Sequence, residues 1–163
     1  SYITDVTQKQ LSYTTYVYTS SNILNHVLNE KSEQCKKLNI MYYVNISGTI
    51  DTSLELNLGI ILSNLLDNAI EAECRQNADN RKILLQLQQN KGMCYITIKN
   101  YIEISVLDTN PSLLTNKAGK KQHGLGVKSV RKIVQSLDGI YQQYEMDSYF
   151  VTTIILPDST KCA

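Results

Sequence analysis

Residues 53–75 read SLELNLGIILSNLLDNAIEAECR, and the fold prediction begins from this segment. Its apolar positions recur every three to four residues, which is the spacing of one face of an α-helix. The apolar stripe is broad enough for a helix at the centre of a core. Ser53 stands before the first apolar position and is predicted to be the N-cap. The stripe consists of Leu54, Leu58, Ile61, Leu62, Leu65, Ala69 and Ile70.

A polar stripe lies beside the apolar one on the same predicted helix. Asn64, Asp67, Asn68 and Glu71 follow the spacing i, i+3, i+4 and i+7, so their side chains share a face. Asn inside a helix costs roughly half a kcal/mol relative to Ala, and a merely solvated face is more cheaply built from Glu, Lys or Gln. The two Asn residues therefore indicate a ligand, and their amide oxygens suit a Mg²⁺ ion whose charge is balanced by phosphates. An exposed face that happens to contain Asn is the alternative.

The flanking segments predict a mixed α/β domain. Helical spacing predicts a helix over residues 22–37 and another from Gly124 to Leu137, which Gly139 ends. Runs rich in β-formers predict strands, of which two pairs are hairpins with turns at 90–92 and 147–148. The order of these elements predicts an α/β two-layer sandwich, with a mixed sheet covered on one face by helices. The predicted strands are 40–46, 82–88, 93–99, 140–146 and 149–156.

A long polar loop and a pair of glycines precede the last predicted helix. Residues 101–123 have no periodicity and few large apolar residues to anchor them, and a loop of this length usually has a function. The loop runs into Gly124 and Gly126, where the backbone can approach a phosphate and a helix start offers free N–H groups to it. Phosphate binding is one interpretation, and an ordinary turn is the other. Lys117, Lys120 and Lys121 could reach terminal phosphates or belong to a solvated loop.

Composition argues against several classes of protein. A chain of 163 residues with 42% hydrophobic and 19% charged residues fits one soluble globular domain. The net charge of +1 gives no basic field for nucleic acid or an anionic membrane surface. No apolar run approaches the roughly 18 residues of a membrane span, and no signal sequence is recognised, so we expect no membrane contact by this fragment.

The four cysteines are far apart and show no zinc-binding spacing. Cys74 lies in an apolar helical pattern and Cys94 in a strand pattern, where buried free thiols are common. We therefore expect reduced thiols, as in cytosolic proteins.

Two motifs together resemble those of a known family. The runs NLLDNAIEA at 64–72 and HGLGVKSV at 123–130 resemble the N box and the second glycine box of the GHKL superfamily, which comprises histidine kinases, gyrase, Hsp90 and MutL. Within it, the chain is similar to the kinases of Gram-positive peptide-pheromone quorum sensing, also in the run VLNEK at 27–31 and the Thr115-x-Lys117 spacing. The similarity covers roughly residues 20–157.

The resemblance implies a Bergerat sandwich that binds ATP with Mg²⁺. It implies that Asn68 coordinates Mg²⁺, that Gly124 and Gly126 hold phosphates, and that residues 101–123 form a lid over ATP. On this interpretation residues 1–38 are the end of a dimerisation hairpin with its linking helix, and residues 39–163 are the catalytic domain. The nucleotide-binding residues are then Asn64, Asn68, Asn100, Lys117, His123, Gly124, Leu125 and Gly126.

Three departures from the family pattern refine the expected function. Gyrase and Hsp90 have a Glu base where this chain has Asn64, and an amide cannot take a proton, which favours phosphate transfer over hydrolysis. Asn100 stands in place of the Asp-x-Gly-x-Gly box; its side-chain oxygen can accept a hydrogen bond from the adenine amino group, but we expect weak binding. Neither His26 nor His123 has the His-Asp-x-x-Asn neighbours of a phosphoacceptor, so we expect no self-phosphorylation.

We therefore expect the cytoplasmic ATP-binding domain of a sensor histidine kinase, which transfers phosphate to a histidine outside this sequence. The expected partners are its own dimerisation and phosphoacceptor domain, a response regulator and, in the full-length protein, a second copy of the chain; nucleic acid is not expected. An anti-sigma-type serine kinase of the same fold is one alternative. A catalytically degenerate module for docking or nucleotide sensing is another.

Overall fold

The computed structural model describes residues 16–113 and 124–158, without the side chains of residues 124 and 125. Short 3-10 turns over Thr52–Leu54 and Ala78–Asn80 precede the second helix and the second strand. The elements in chain order are α1 (Asn22–Lys37), β1 (Met41–Ser47), α2 (Glu55–Glu73), β2 (Lys82–Asn90), β3 (Met93–Tyr101), α3 (Val106–Thr109), α4 (Gly124–Ser136), β4 (Ile140–Met146) and β5 (Tyr149–Pro157).

The strands form one five-stranded sheet in the order β1-β2-β3-β5-β4. β1 is parallel to β2, and the other three pairs are antiparallel. Lys91 and Gly92 join β2 to β3, and Asp147 and Ser148 join β4 to β5; all four residues have positive φ. Two-residue turns of this kind match the twist of the flanking strands. Both predicted hairpins and the mixed sheet are confirmed.

The core lies between the sheet and the helices. Alternate residues of each strand point to opposite faces, and those that face the helices are buried. α2 packs its apolar stripe against them, and α1 and α4 add residues to the same core. Burial of each Leu or Ile stabilises the fold by about 1.5–3 kcal/mol. The predicted sandwich with helices on one face is confirmed. The central buried side chains include Leu24, Leu28, Leu58, Ile61, Leu62, Ile83, Leu87, Ile96, Val130 and Ile154.

The ends of α2 differ from the prediction. Ser53 is not the N-cap of the helix: the Asp51 carboxylate accepts from the Ser53 N–H at 2.9 Å and starts a 3-10 turn, while Leu54 precedes α2 without a side-chain cap. An Asp side chain reaches the N–H two residues on, so the turn begins earlier than the apolar stripe. The helix ends at Glu73, and Cys74 beyond it is exposed, which corrects its predicted burial.

The described part of the predicted lid is anchored, which corrects the expectation that little holds it. Ile102 is buried, and its N–H donates to the Ser148 carbonyl at 2.9 Å. The Glu145 carboxylate accepts from the N–H groups of Val106 and Leu107 at the start of α3. These anchors come from the β4–β5 hairpin, far along the chain, so local sequence gave no indication of them. Residues 114–123, with Lys117 and His123, lie outside the described residues.

Candidate functional site

The two amides of the polar stripe lie one turn apart on α2, which confirms their shared face. Asn64 is half-buried, and its Nδ2 donates to the Ile60 carbonyl at 2.8 Å. Its Oδ1 is directed toward the start of α4, where a Cβ on Gly126 would lie only 2.7 Å from that oxygen. A glycine at position 126 is therefore what lets α4 approach α2 this closely.

Asn68 differs from its acidic neighbours because its side chain has no hydrogen-bond partner among the described residues. Its side chain is half-buried and makes no hydrogen bond to any residue within 16–113 or 126–158. Asp67 instead lies 2.7 Å from the Lys31 ammonium, and Glu71 lies 3.1 Å from the Arg75 guanidinium. The structure thus divides the stripe into carboxylates that form ion pairs and amides that do not, of which Asn64 faces α4.

The partner of Asp67 was not foreseen from the sequence. Lys31 lies on α1 and is 3% exposed, which is rare for a lysine without an anionic partner. The run VLNEK at 27–31 carries only the family resemblance and gives no sign of this ion pair. The available signal is that Lys31 stands three residues after Leu28 and four before Cys35, which places it on the buried face of α1.

A second polar group lies at the C-terminal end of α2. Glu73 is fully buried, and its Oε2 accepts from the Lys82 N–H at 2.8 Å. Oε1 has no hydrogen-bond partner among the described residues. Burial raises the pKa of Glu73 to about 7, although the Lys82 N–H, the Asn100 side-chain amide and Arg81 each lower it. Glu73 was missed by the sequence analysis, yet its position three residues after Ile70 places it on the apolar face.

Asn100 is the neighbour of Glu73 on the sheet. It lies near the end of β3 opposite Ile83 and Phe150, on the face that packs against the helices, and is 6% exposed. Between Asn68 and Glu73 the helix rises about 7.5 Å. The predicted residues therefore form two groups along α2, with Asn64, Asn68 and Gly126 in one and Asn100 in the other.

The start of α4 is described only in its backbone. Gly124 and Leu125 begin the helix, as predicted, and the first N–H groups of a helix have no partner within it. The predicted site residues Lys117 and His123 belong to the segment that the structure does not describe. Within the described ranges, no group of three His, Cys, Asp or Glu residues could hold a metal ion.

A shallow cavity of about 350 Å³ lies elsewhere, on the uncovered face of the sheet. Its lining includes Tyr43, Gln86 and Lys99. Along their strands these residues alternate with the residues that face α2, so they point to the opposite face of the sheet. The sheet therefore separates this cavity from the amides, and it is not part of the candidate site.

A family model described as the GHKL domain matches residues 55–157, from the start of α2 to the end of β5. The chain belongs to the GHKL domain family. The match spans both groups of polar residues on α2, the Asn64–Gly126 contact and the buried Glu73. No curated protein matches this GHKL domain.

Solved structures of histidine kinases are similar in fold. The nucleotide-free catalytic domain of histidine kinase ThkA has a TM-score of 0.62 at 18% identity, over 83% of this chain and 90% of that one. Histidine kinase AdeS of Acinetobacter baumannii has a TM-score of 0.60 at 18% identity, over 96% and 77%. ThkA in complex with the response regulator TrrA has a TM-score of 0.63 at 16% identity, over 99% and 48%. At these identities the likeness concerns the fold alone.

The residues of this GHKL domain fit a nucleotide with a hard cation. The uncommitted amide of Asn68 supplies a neutral oxygen ligand of the type that Mg²⁺ accepts. The glycine at position 126 lets the start of α4 approach Asn64 closely, and the helix start supplies N–H donors to an anion. Near the C-terminal end of α2, Asn100 offers a hydrogen bond to a polar base edge. No helix of the described residues could cross a membrane.

Proposed function

We propose that this domain binds ATP with Mg²⁺ between α2, the end of β3 and the start of α4, as the catalytic domain of a sensor histidine kinase. The observation that carries the proposal is the Asn68 amide, which has no hydrogen-bond partner among the described residues, beside the close Asn64–Gly126 approach. Such an arrangement places a metal ligand near the middle of α2, beside the N–H groups that begin α4. Asn100 lies near the C-terminal end of α2, where a base would be recognised.

Each residue has a distinct role in this proposal. Asn68 Oδ1 would hold Mg²⁺, and the N–H groups from Gly124 to Gly126 would bind phosphate oxygens at the positive end of α4. Bound Mg²⁺ neutralises the charge on the phosphates. Asn100 Oδ1 would accept a hydrogen bond from the adenine amino group.

Asn64 determines which reaction the site favours. A side-chain amide cannot accept a proton from water, so no general base stands at this position. Its Nδ2 is moreover engaged with the Ile60 carbonyl. We therefore expect transfer to a positioned protein group rather than hydrolysis, with catalysis resting on orientation and charge neutralisation.

The wider assignment belongs to the same proposal. The phosphoacceptor would be a histidine of a dimerisation domain, with residues 1–38 ending that hairpin and residues 39–163 forming the catalytic domain. A response regulator would receive the phosphate; the ThkA structure with TrrA supports a partner of this class. We also propose the quorum-sensing branch, a homodimeric full-length protein and a cytoplasmic location for this domain.

A titration of the chain with ATP, with and without Mg²⁺, tests the proposal. We expect weak binding that requires Mg²⁺, and negligible phosphate release over many hours. Phosphate transfer is then measured onto a separately supplied dimerisation domain. Absence of Mg²⁺-dependent ATP binding at millimolar nucleotide would overturn the proposal in favour of a degenerate docking module.

A further inference from the structure

Glu73 is a buried carboxyl that the proposed mechanism does not use. It lies on the apolar face of α2, and one of its oxygens, Oε1, lacks a partner among the described residues. Buried polar atoms in proteins are nearly always paired, so an unpaired one calls for a physical explanation. Asn100 on β3 is the side-chain amide that acts on this carboxyl.

The chemistry of the pair allows two arrangements. A side-chain amide has a donor, Nδ2, and an acceptor, Oδ1, and either can face Glu73. The Lys82 N–H donates to Oε2 and keeps that oxygen an acceptor in both protonation states. The proton of a neutral Glu73 is therefore on Oε1, the oxygen that has no partner among the described residues and is left to interact with Asn100. Oε1 consequently accepts when Glu73 is ionised and donates when Glu73 is neutral.

We propose that Glu73 is a positioning residue that determines which purine edge Asn100 can recognise. This inference rests on the nucleotide site proposed above. Ionised Glu73 accepts from Nδ2 of Asn100, so that Oδ1 faces the base and accepts from the 6-amino group of adenine. Neutral Glu73 donates to Oδ1, so that Nδ2 faces the base and donates to a 6-keto oxygen such as that of hypoxanthine.

Charged groups around Glu73 keep both states accessible. Burial is the largest influence and favours the neutral acid; Glu103, after β3, acts in the same direction. Arg81, before β2, favours the carboxylate, as do the Lys82 N–H and the Asn100 amide. Burial most of all raises the pKa of the Cys35 thiol on α1; Cys74 also raises it, Lys31 lowers it, and the carboxylate of Glu73 raises it. The resulting pKa of Glu73, about 7, places the change between pH 6 and pH 8.

The test compares ATP with inosine 5′-triphosphate, which differs in the group at position 6 of the purine. Both are titrated into the chain at saturating Mg²⁺, at pH 6 and at pH 8. The ionisation of the phosphates and of Mg²⁺-binding groups changes both affinities by the same factor. The ratio of the two affinities is therefore free of this effect. We expect the preference for ATP to be about tenfold greater at pH 8, because the ionised fraction of Glu73 rises across this range.

Substitutions separate positioning from a structural role. Glu73→Gln keeps an oxygen for the Lys82 N–H and donates to Asn100, so it should favour inosine triphosphate at both pH values. Adding Asn100→Asp to it should restore the ATP preference without pH dependence, since the carboxylate accepts from both neighbours. Asn100→Asp alone should bind ATP better at pH 6 than at pH 8, because only neutral Glu73 donates to it. Glu103→Gln, the matched control, should retain the pH dependence.

The outcomes distinguish this inference from the proposed function. Mg²⁺-dependent ATP binding with a preference that is equal at both pH values would overturn the role of Glu73 and leave the site standing. Absence of any Mg²⁺-dependent ATP binding would overturn the site and this inference together. Circular dichroism verifies that each variant is folded. If Glu73→Gln is unfolded, the role of Glu73 is tested by the wild-type affinity ratios at pH 6 and pH 8 and by the pH dependence of ATP binding in Asn100→Asp.

Discussion

The Nζ atom of Lys31 lies 2.7 Å from Oδ1 of Asp67, and this ion pair joins α1 to α2 beside the amide of Asn68. The lysine side chain is almost fully buried, whereas about half of the Asp67 side chain is exposed. The Glu30 carboxylate lies 4.0 Å from the same ammonium group. One lysine thus connects the first helix to the helix that bears the candidate site.

Removal of the Asp67 carboxylate should cost more than removal of the Lys31 ammonium group. Asp67→Ala leaves a buried ammonium group with a distant partner, and we expect a loss of about 1–3 kcal/mol in the free energy of unfolding. Lys31→Met should cost less, because methionine fills a similar volume without charge. Urea unfolding measures both. A larger loss for Lys31→Met would mean that the pair itself stabilises the fold.

Asn68→Ala should abolish Mg²⁺-dependent ATP binding without unfolding the domain. The substitution deletes the proposed metal ligand from a helix that Ala supports well. Isothermal titration measures the affinity, and Asn57→Ala is the matched control. Asn57 lies on the same helix, about 16 Å from Asn68 along the axis. Unchanged affinity in Asn68→Ala would remove this residue from the site.

Gly126→Ala should weaken nucleotide binding by tenfold or more while the fold persists. The added methyl group would lie 2.7 Å from Oδ1 of Asn64, so that side chain or the start of α4 must shift. Gly59→Ala is the matched control, because its methyl group meets Cγ2 of Ile23 at the same distance, on the side of α2 that packs against α1. Thermal unfolding and ATP titration are compared for the two. Equal ATP affinity in both variants would contradict a phosphate role for position 126.

Glu145→Ala should free the segment that follows β3. The Glu145 carboxylate accepts from the Ser105 hydroxyl at 2.7 Å and from the Val106 and Leu107 N–H groups at 2.6 and 2.8 Å. We expect faster hydrogen exchange at both amides in Glu145→Ala and a smaller change in Glu145→Gln, whose amide oxygen is a weaker acceptor. Asp108→Asn, on the same short helix, should leave both amides unchanged and serves as the control.

The same anchor should depend on pH in a defined direction. Burial raises the pKa of Glu145, but the hydrogen bonds from Leu107, Ser105 and Val106 together lower it by more. A lowered pKa in the folded state means that the anchor is fully present above about pH 4.5 and is lost as pH falls through the lowered value. The amide chemical shifts of Val106 and Leu107 should therefore titrate below pH 4.5. Titration above pH 5 would contradict the assignment.

The sequence alone determined the long helices, the strands and their order, but not the short helix α3. Periodicity is a local property, so the helices of residues 22–37 and 55–73 and the two hairpins could be predicted from their own residues. The spacing of Asn64 and Asn68 likewise required one face of one helix. The ends of the elements were predicted less accurately than their centres, because the cap at Asp51 depends on turn geometry rather than on the apolar pattern.

Only the tertiary structure decided which polar residues form ion pairs or hydrogen bonds with distant parts of the chain. Lys31 and Asp67 are 36 residues apart, and Val106 and Glu145 are 39 apart. Such contacts depend on how helices and strands pack, and each removes a charged group from the candidates for binding. Packing also decided the state of Glu73. Its raised pKa and its proximity to Asn100 arise because the end of α2 packs on β2 and β3. Residue types specify which bonds are possible, and packing selects the ones that form.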